Sequence, residues 1–330
     1  MKIAKIAMTA SASLLATLII AGSTFAQLTP QDLGTLGGAN SIAQRINDRG
    51  QVVGASETTV GPPHGFLWQA GSMTDLGTLG GSESDAQDIN NRGQVVGFSL
   101  TPAGLFNHAF LWQDGVMTDL GTLGGNRSFA FGINNRSEVV GESRTAANLR
   151  RAFVWRDGTM SDLGTLGGDR SIAFSINERG WIVGESRTFT GEDHAVLWRE
   201  GAIVDLGTLG GSFSSANGIN EHGQVVGQSE TADGELHAFL WEDGTMTNLG
   251  VLPGGVFSGA VGINARGDAV GISDDSSGFG RAVLWDGDSI TELPSLGGPV
   301  SFANDINSAG QIVGMSSTSG GFDRAALWTK

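Results

Sequence analysis

Residues 75–118 read DLGTLGGSESDAQDINNRGQVVGFSLTPAGLFNHAFLWQDGVMT, and the next residue, Asp119, begins the same pattern again. Within this stretch four short strands are predicted. Strand A runs from Ser84 to Ile89 and ends in the turn Asn90-Asn91-Arg92-Gly93. Asn at the first turn position and Gly at the fourth suit a type I turn followed by a residue of positive φ. Strand B, Gln94 to Ser99, is rich in β-branched residues. A loop from Leu100 to Asn107 separates it from strand C, His108 to Trp112. Asp114-Gly115, a strong short hairpin signal, then leads into strand D, Val116 to Leu123. No segment carries a sustained helical period.

The same unit recurs seven times, starting at 32, 75, 119, 162, 205, 248 and 292. Trp68, Trp112, Trp155, Trp198, Trp241, Trp285 and Trp328 keep the beat of 43 or 44 residues, and Trp181 is the one Trp off it. Asn47, Asn90, Asn134, Asn177, Asn220, Asn264 and Asn307 keep it too. Four strands in about 43 residues, repeated, is the pattern of a seven-bladed β-propeller, all-β with four-stranded antiparallel blades. The last copy stops after its strand C at Trp328, and Leu28 to Leu33 read as a strand D that lacks a strand C. Pairing the two closes the ring, whereas an open solenoid needs capping units. A membrane barrel needs longer strands and aromatic girdles, and a calcium-binding roll needs a nine-residue Gly/Asp repeat. Neither is present.

Ahead of the repeats, Met1-Lys2-Ile3-Ala4-Lys5 precedes an apolar stretch to about Ala21 and small residues before Gln27. This reads as a secretory signal over 1–26, cleaved after Ala26, with the propeller occupying 27–330. A secreted or periplasmic location is therefore expected. With no cysteine there are no disulfides and no thiolate metal sites. The formal net charge is −15, and near −17 once the two signal lysines are removed. Such a balance argues against nucleic acid or anionic membrane as partner. No later segment is long and apolar enough to span a bilayer.

His108 to Trp112 and His237 to Trp241, both His-Ala-Phe-Leu-Trp, stand between copies of Leu-Gly-Thr-Leu-Gly-Gly and Ile-Asn-x-x-Gly-Gln-Val-Val-Gly-x-Ser. On these segments the chain, over residues 28–330, resembles the HAF-repeat family of probable extracellular bacterial proteins. It departs from the pattern at Ser137, where the turn Gly is expected, and at Arg151, Arg281 and Arg324, which replace His. The resemblance implies export and repetition but carries no reaction.

Residue types that look chemical have structural readings beside them. The recurring Trp residues follow apolar strand residues and are expected in the core rather than as sugar platforms. The recurring Asn residues already have a turn to make. His64, His108, His194 and His237 occupy one position in different blades, too far apart to share an ion, so no metal site is expected. Asp274 to Gly278 lacks the acidic spacing of a calcium loop. No nucleophile or phosphate-loop motif appears, and sialidase chemistry lacks its Tyr, so neither an enzyme nor a cofactor is expected. A glycan hydrolase or lyase built on a carboxylate pair stays open.

One charge feature breaks the sevenfold sameness. Ten of the seventeen basic residues after the signal are arginines between Asp119 and Val204, among eleven acids. Arg127 and Arg170 fall in D–A loops, Arg144 and Arg187 at the ends of strand B, Arg150 and Arg151 at the start of strand C. In a propeller those positions share one face, here across two adjacent blades, while Arg136 and Arg179 point the opposite way. Two readings stand. The six arginines form a site for an anionic glycan, a phosphate-bearing envelope polymer or an acidic protein patch, or they pair locally with Glu142, Asp169, Glu185 and Asp193.

Overall fold

A computed structural model describes residues 28–102, 104–287 and 289–329. The expected signal, 1–26, lies outside them. The described residues form 28 strands, numbered β1 to β28 in chain order, in seven four-stranded antiparallel sheets and without a helix. The second copy gives β6 (Ser84–Ile89), β7 (Val95–Leu100), β8 (Asn107–Gln113) and β9 (Val116–Asp119). Strands A, B and C thus fall within a residue or so of their predicted positions.

Strand D is shorter than expected, ending at Asp119 rather than Leu123. The Asp119 carboxylate accepts the Gly121 amide at 2.7 Å and turns the chain out of the sheet. Leu120 is buried, and the Leu123 amide donates to Ser143 Oγ at 2.9 Å. The Asp-Leu-Gly-Thr-Leu-Gly-Gly string is therefore the crossover from one blade's outer strand to the next blade's inner one. Five inner strands begin at its end and run ten residues, as in β2 (Gly37–Ile46) and β10 (Gly124–Ile133).

Closure occurs as the repeat phase requires. The last sheet has the order β1-β28-β27-β26, with β26 at Gly297–Ile306, β27 at Ile312–Thr318, β28 at Asp323–Thr329 and β1 at Thr29–Asp32. Thr29 faces Thr329 and Asp32 faces Ala326 in antiparallel register. The N-terminal strand thereby covers an edge that would otherwise be open to pairing.

Between blades lies an apolar layer. Trp241 packs with Val183 and Leu197 of the preceding blade, and Trp68 with Val313 and Leu327 across the seam. Five of the seven in-phase Trp residues are buried, while Trp112 and Trp155 are half-buried. The Asn residues do more than make turns. Asn47 Oδ1 accepts the amides of Arg49 and Gln51, and its Nδ2 donates to the Asn90 carbonyl of the next blade at 3.0 Å. The relay continues from Asn90 to Asn134, Asn177, Asn220 and Asn264, and Asn307 donates back to Asn47 at 3.1 Å. These buried bonds tie neighbouring blades, including the first to the last.

Candidate functional site

The six arginines do not make one free patch, because four of them have carboxylate partners. Arg150, opening β12 (Arg150–Arg156), is paired with Glu142 of β11 (Val139–Thr145). Arg170 of β14 (Gly167–Ile176) is paired with Asp193, and Arg187 of β15 (Ile182–Thr188) shares that carboxylate at 3.2 Å while reaching Asp169 at 3.4 Å. Burial alone would raise the Asp193 carboxyl, but hydrogen bonds from Arg170 and Arg187 outweigh it and hold it below the ordinary range. Glu185, enclosed behind them, is pushed up by that enclosure despite Arg170. Local pairing therefore neutralises Arg150, Arg170 and Arg187.

Arg151 has a different job. Its Nε stands 3.7 Å from Asp162, the last residue of its blade's outer strand. His64 with Asp75, His108 with Asp119 and His194 with Asp205 make the same latch, each across 2.8–2.9 Å. Arg324 with Asp32 repeats it across the seam at 3.5 Å, and in the fifth blade His237 meets Asn248 at 2.8 Å. The position recurs because it fastens strand C to the end of strand D. The constant spacing of eleven residues between His64, His108 or His194 and its Asp was the sequence signal for it.

Arg127 and Arg144 are left. Neither has a carboxylate partner among the described residues. Arg127 lies over the Phe106 ring, 5.3 Å from its centroid, and Arg144 donates to the Asn148 carbonyl at 3.0 Å. With Arg150, Glu142 and Phe129 they line a groove of about 180 Å³ at the loop face of the third blade. Three guanidiniums there oppose one carboxylate.

Two other concave places were not foreseen. An apolar groove of about 400 Å³ sits at the seam, floored by Ile42, Ala55, Phe302 and Met315 and rimmed by Glu57 and Asp323. The central channel carries a bulge in every inner strand, between Ala43 and Arg45 in the first blade. Gln44, Gln87, Phe131, Phe174 and Asn217 project there around a space of about 230 Å³. Arg45 donates to the Asn304 carbonyl at 3.1 Å. Asp88 and Asp305 accept the amides of Ile133 and Ile46 from the neighbouring blades at 2.8 and 3.0 Å. Burial pushes the Asp85 carboxyl, beside Gln87, up to about 7 and Asp88 to about 6, the latter against the pull of Arg45, and raises Asp305 as well.

Comparison with solved structures bears on the fold. The β-propeller domain of the Trilobed protease from Pyrococcus furiosus, described as having an open velcro topology, matches with a TM-score of 0.58 at 7% identity, covering 88% of this chain and 95% of that one. TolB from Acinetobacter baumannii matches with a TM-score of 0.50 at 11% identity over 90% of this chain and 65% of its own. A puromycin-hydrolyzing peptidase of Mycobacterium tuberculosis matches with a TM-score of 0.51 at 12% identity over 77% and 45%. The chain thus spans less than two thirds of the last two proteins. At such identities the likeness is one of fold alone. No model of a known protein family matches the sequence, and no curated protein does.

Proposed function

We propose that this chain is an exported binding or scaffold propeller of the HAF-repeat kind, taking an acidic glycan or envelope polymer at its loop face. One observation carries the reading: Arg127 and Arg144 present unpaired guanidiniums in a groove of a protein whose formal net charge is −15. Arg offers a planar fork of donors that matches carboxylate and phosphate, and a groove with surplus positive charge on an acidic body needs an anion. Binding measured on the mature protein with an acidic and a neutral polysaccharide tests this. Changing Arg127 and Arg144 together to Ala is expected to weaken acidic-glycan binding about tenfold and to leave the melt unchanged. Arg151→His, which restores the residue found at His108, should bind as the parent does. Equal binding by the double variant and the parent overturns the reading.

A second reading, a glycan hydrolase or lyase, draws on Asp85, whose carboxyl near 7 lies in the range of a general acid. New reducing ends appearing in the same glycan incubations, and lost in Asp85→Asn, would decide for it.

A further inference from the structure

Six blades place Gln, Glu or Asp directly after the A–B turn: Gln51, Gln94, Glu138, Gln224, Asp268 and Gln311. In each, the turn Asn donates its Nδ2 to that side chain, as Asn47 does to Gln51 at 2.7 Å. The fourth blade has Trp181 instead. An indole offers no acceptor, so the Asn177 Nδ2 keeps only its bond to the next blade, while its Oδ1 still accepts the turn amides. Trp181 is half-buried, with its ring edge against Gly223 of the fifth blade. Nothing in the repeat requires an aromatic residue at this position.

Two arginines occupy the ring. Arg179 and Arg199 stand over it with their guanidinium carbons 5.3 and 5.4 Å from its centroid. Arg136 and Arg156 nearby are both tied to Glu138, whereas Arg179 and Arg199 have no carboxylate at ion-pair distance among the described residues. Arg156, Arg179, Trp181 and Arg199 border a cleft of about 710 Å³ between the third and fourth blades, larger than the grooves described above. Its wall includes Trp198, which is buried and whose indole N–H finds no acceptor. At the equivalent positions Trp328 donates to the Pro294 carbonyl at 2.7 Å, whereas Trp285 lacks an acceptor as Trp198 does.

A guanidinium held against an indole keeps its in-plane N–H donors free for an oxyanion. The cleft joins two such cations to an apolar floor of Trp181, Leu163 and Ile182, with Asp162 and Glu200 also on its lining. Those carboxylates, and the body's net charge, repel a dense polyanion such as nucleic acid. They tolerate one charge per ring and can accept hydroxyl donors. A chain of uronate sugars has that chemistry: a carboxylate on each residue, C–H faces that pack on indole, and hydroxyls. We propose that the Trp181 cleft is a second binding site, on the face opposite the loop groove, that takes an oligomeric uronate through Arg179 and Arg199.

The blades supply the neutral variants for the test. Trp181→Gln with Arg199→Gln reproduces Gln51 and Gln69 of the first blade and returns an acceptor to Asn177. Titration calorimetry with tetragalacturonate is done on full mature protein carrying Arg127→Ala and Arg144→Ala, so that the loop groove does not contribute. The cleft is expected to bind in that background, with affinity falling at least tenfold when the Gln pair is added and the melt kept or raised. Arg179→Ala, an exposed side chain, should weaken binding similarly and guards against a folding defect in the Gln pair. Undiminished binding in these variants, no binding in the starting background, or equally tight binding of maltotetraose overturns the proposal.

Discussion

Gly97 and Gly93 stand four residues apart and serve different ends. A Cβ on Gly97 would fall closer than 3.0 Å to the carbonyl oxygen of Asp85 on the paired inner strand. Gly93 adopts φ 80° in the turn, and a Cβ there would meet only the Gln51 side chain at an ordinary contact distance of 3.7 Å. Gly97→Ala therefore forces strands apart in a packed sheet and should cost about 3 kcal/mol or more. Gly93→Ala meets only the backbone preference and should cost about 1 kcal/mol. Chemical denaturation of the two variants checks the order. The turn glycine was legible in the sequence because turn chemistry is local. The strand glycine was visible only as a repeat, since its reason is a distance to another strand. Ser137 fills the turn position in the third blade at φ 64° and donates to Gln94 of the preceding blade at 2.8 Å, a compensation that no local pattern discloses. The same holds for the arginines. Their clustering could be counted along the chain, but the meeting of Arg170, Arg187 and Asp193 depends on three strands lying side by side.

At the scale of strands and loops, periodicity located strands A to C and the hairpin turns, because alternation and turn residues act over a few neighbours. It overran strand D, because Val116 to Leu123 stays apolar enough to read as strand while the Asp119 side chain ends it. The inner-strand bulges and the channel they line were not legible, as a bulge leaves no mark until register is known. Those strands predict a pH response. Enclosure raises Asp85 to about 7 and Asp88 to about 6, above the 3.8 of the unfolded chain. Between about pH 4 and 7 the folded protein thus keeps protons that the unfolded chain releases. Stability should fall as pH rises through that window and return on acidification to about pH 5. Below about pH 4 the carboxylates held low by partners, Asp193 and Glu138 among them, work the other way as they protonate. Thermal melts should show a higher midpoint at pH 5.5 than at pH 8, with a smaller difference in Asp85→Asn. A midpoint that rises steadily toward pH 8 contradicts the enclosure of these groups.

For the whole molecule, sevenfold repetition supplies a rigid ring and its departures supply chemistry. The Asn relay, the latches between strands C and D and the interblade Trp residues are shared by most blades and account for cohesion. The groove of Arg127 and Arg144 and the cleft of Trp181, Arg179 and Arg199 belong to the third and fourth blades, one on each face. Both depend on a ring that is closed, since an open propeller could splay its blades and widen every groove between them. Closure rests on four residues of β1 lying against β28. The chain has no cysteine, so a pair introduced across that seam meets no competing thiol. Facing residues in an antiparallel pair have Cα atoms about 4.5–5.5 Å apart, within the span of a disulfide. The direct measurement is intact mass of Thr29→Cys/Thr329→Cys under mild oxidation, before and after reduction. A closed ring predicts near-complete formation of one disulfide within a single chain, and an unfolding transition above that of the reduced form. Free thiols, or disulfides formed only between chains, would contradict it.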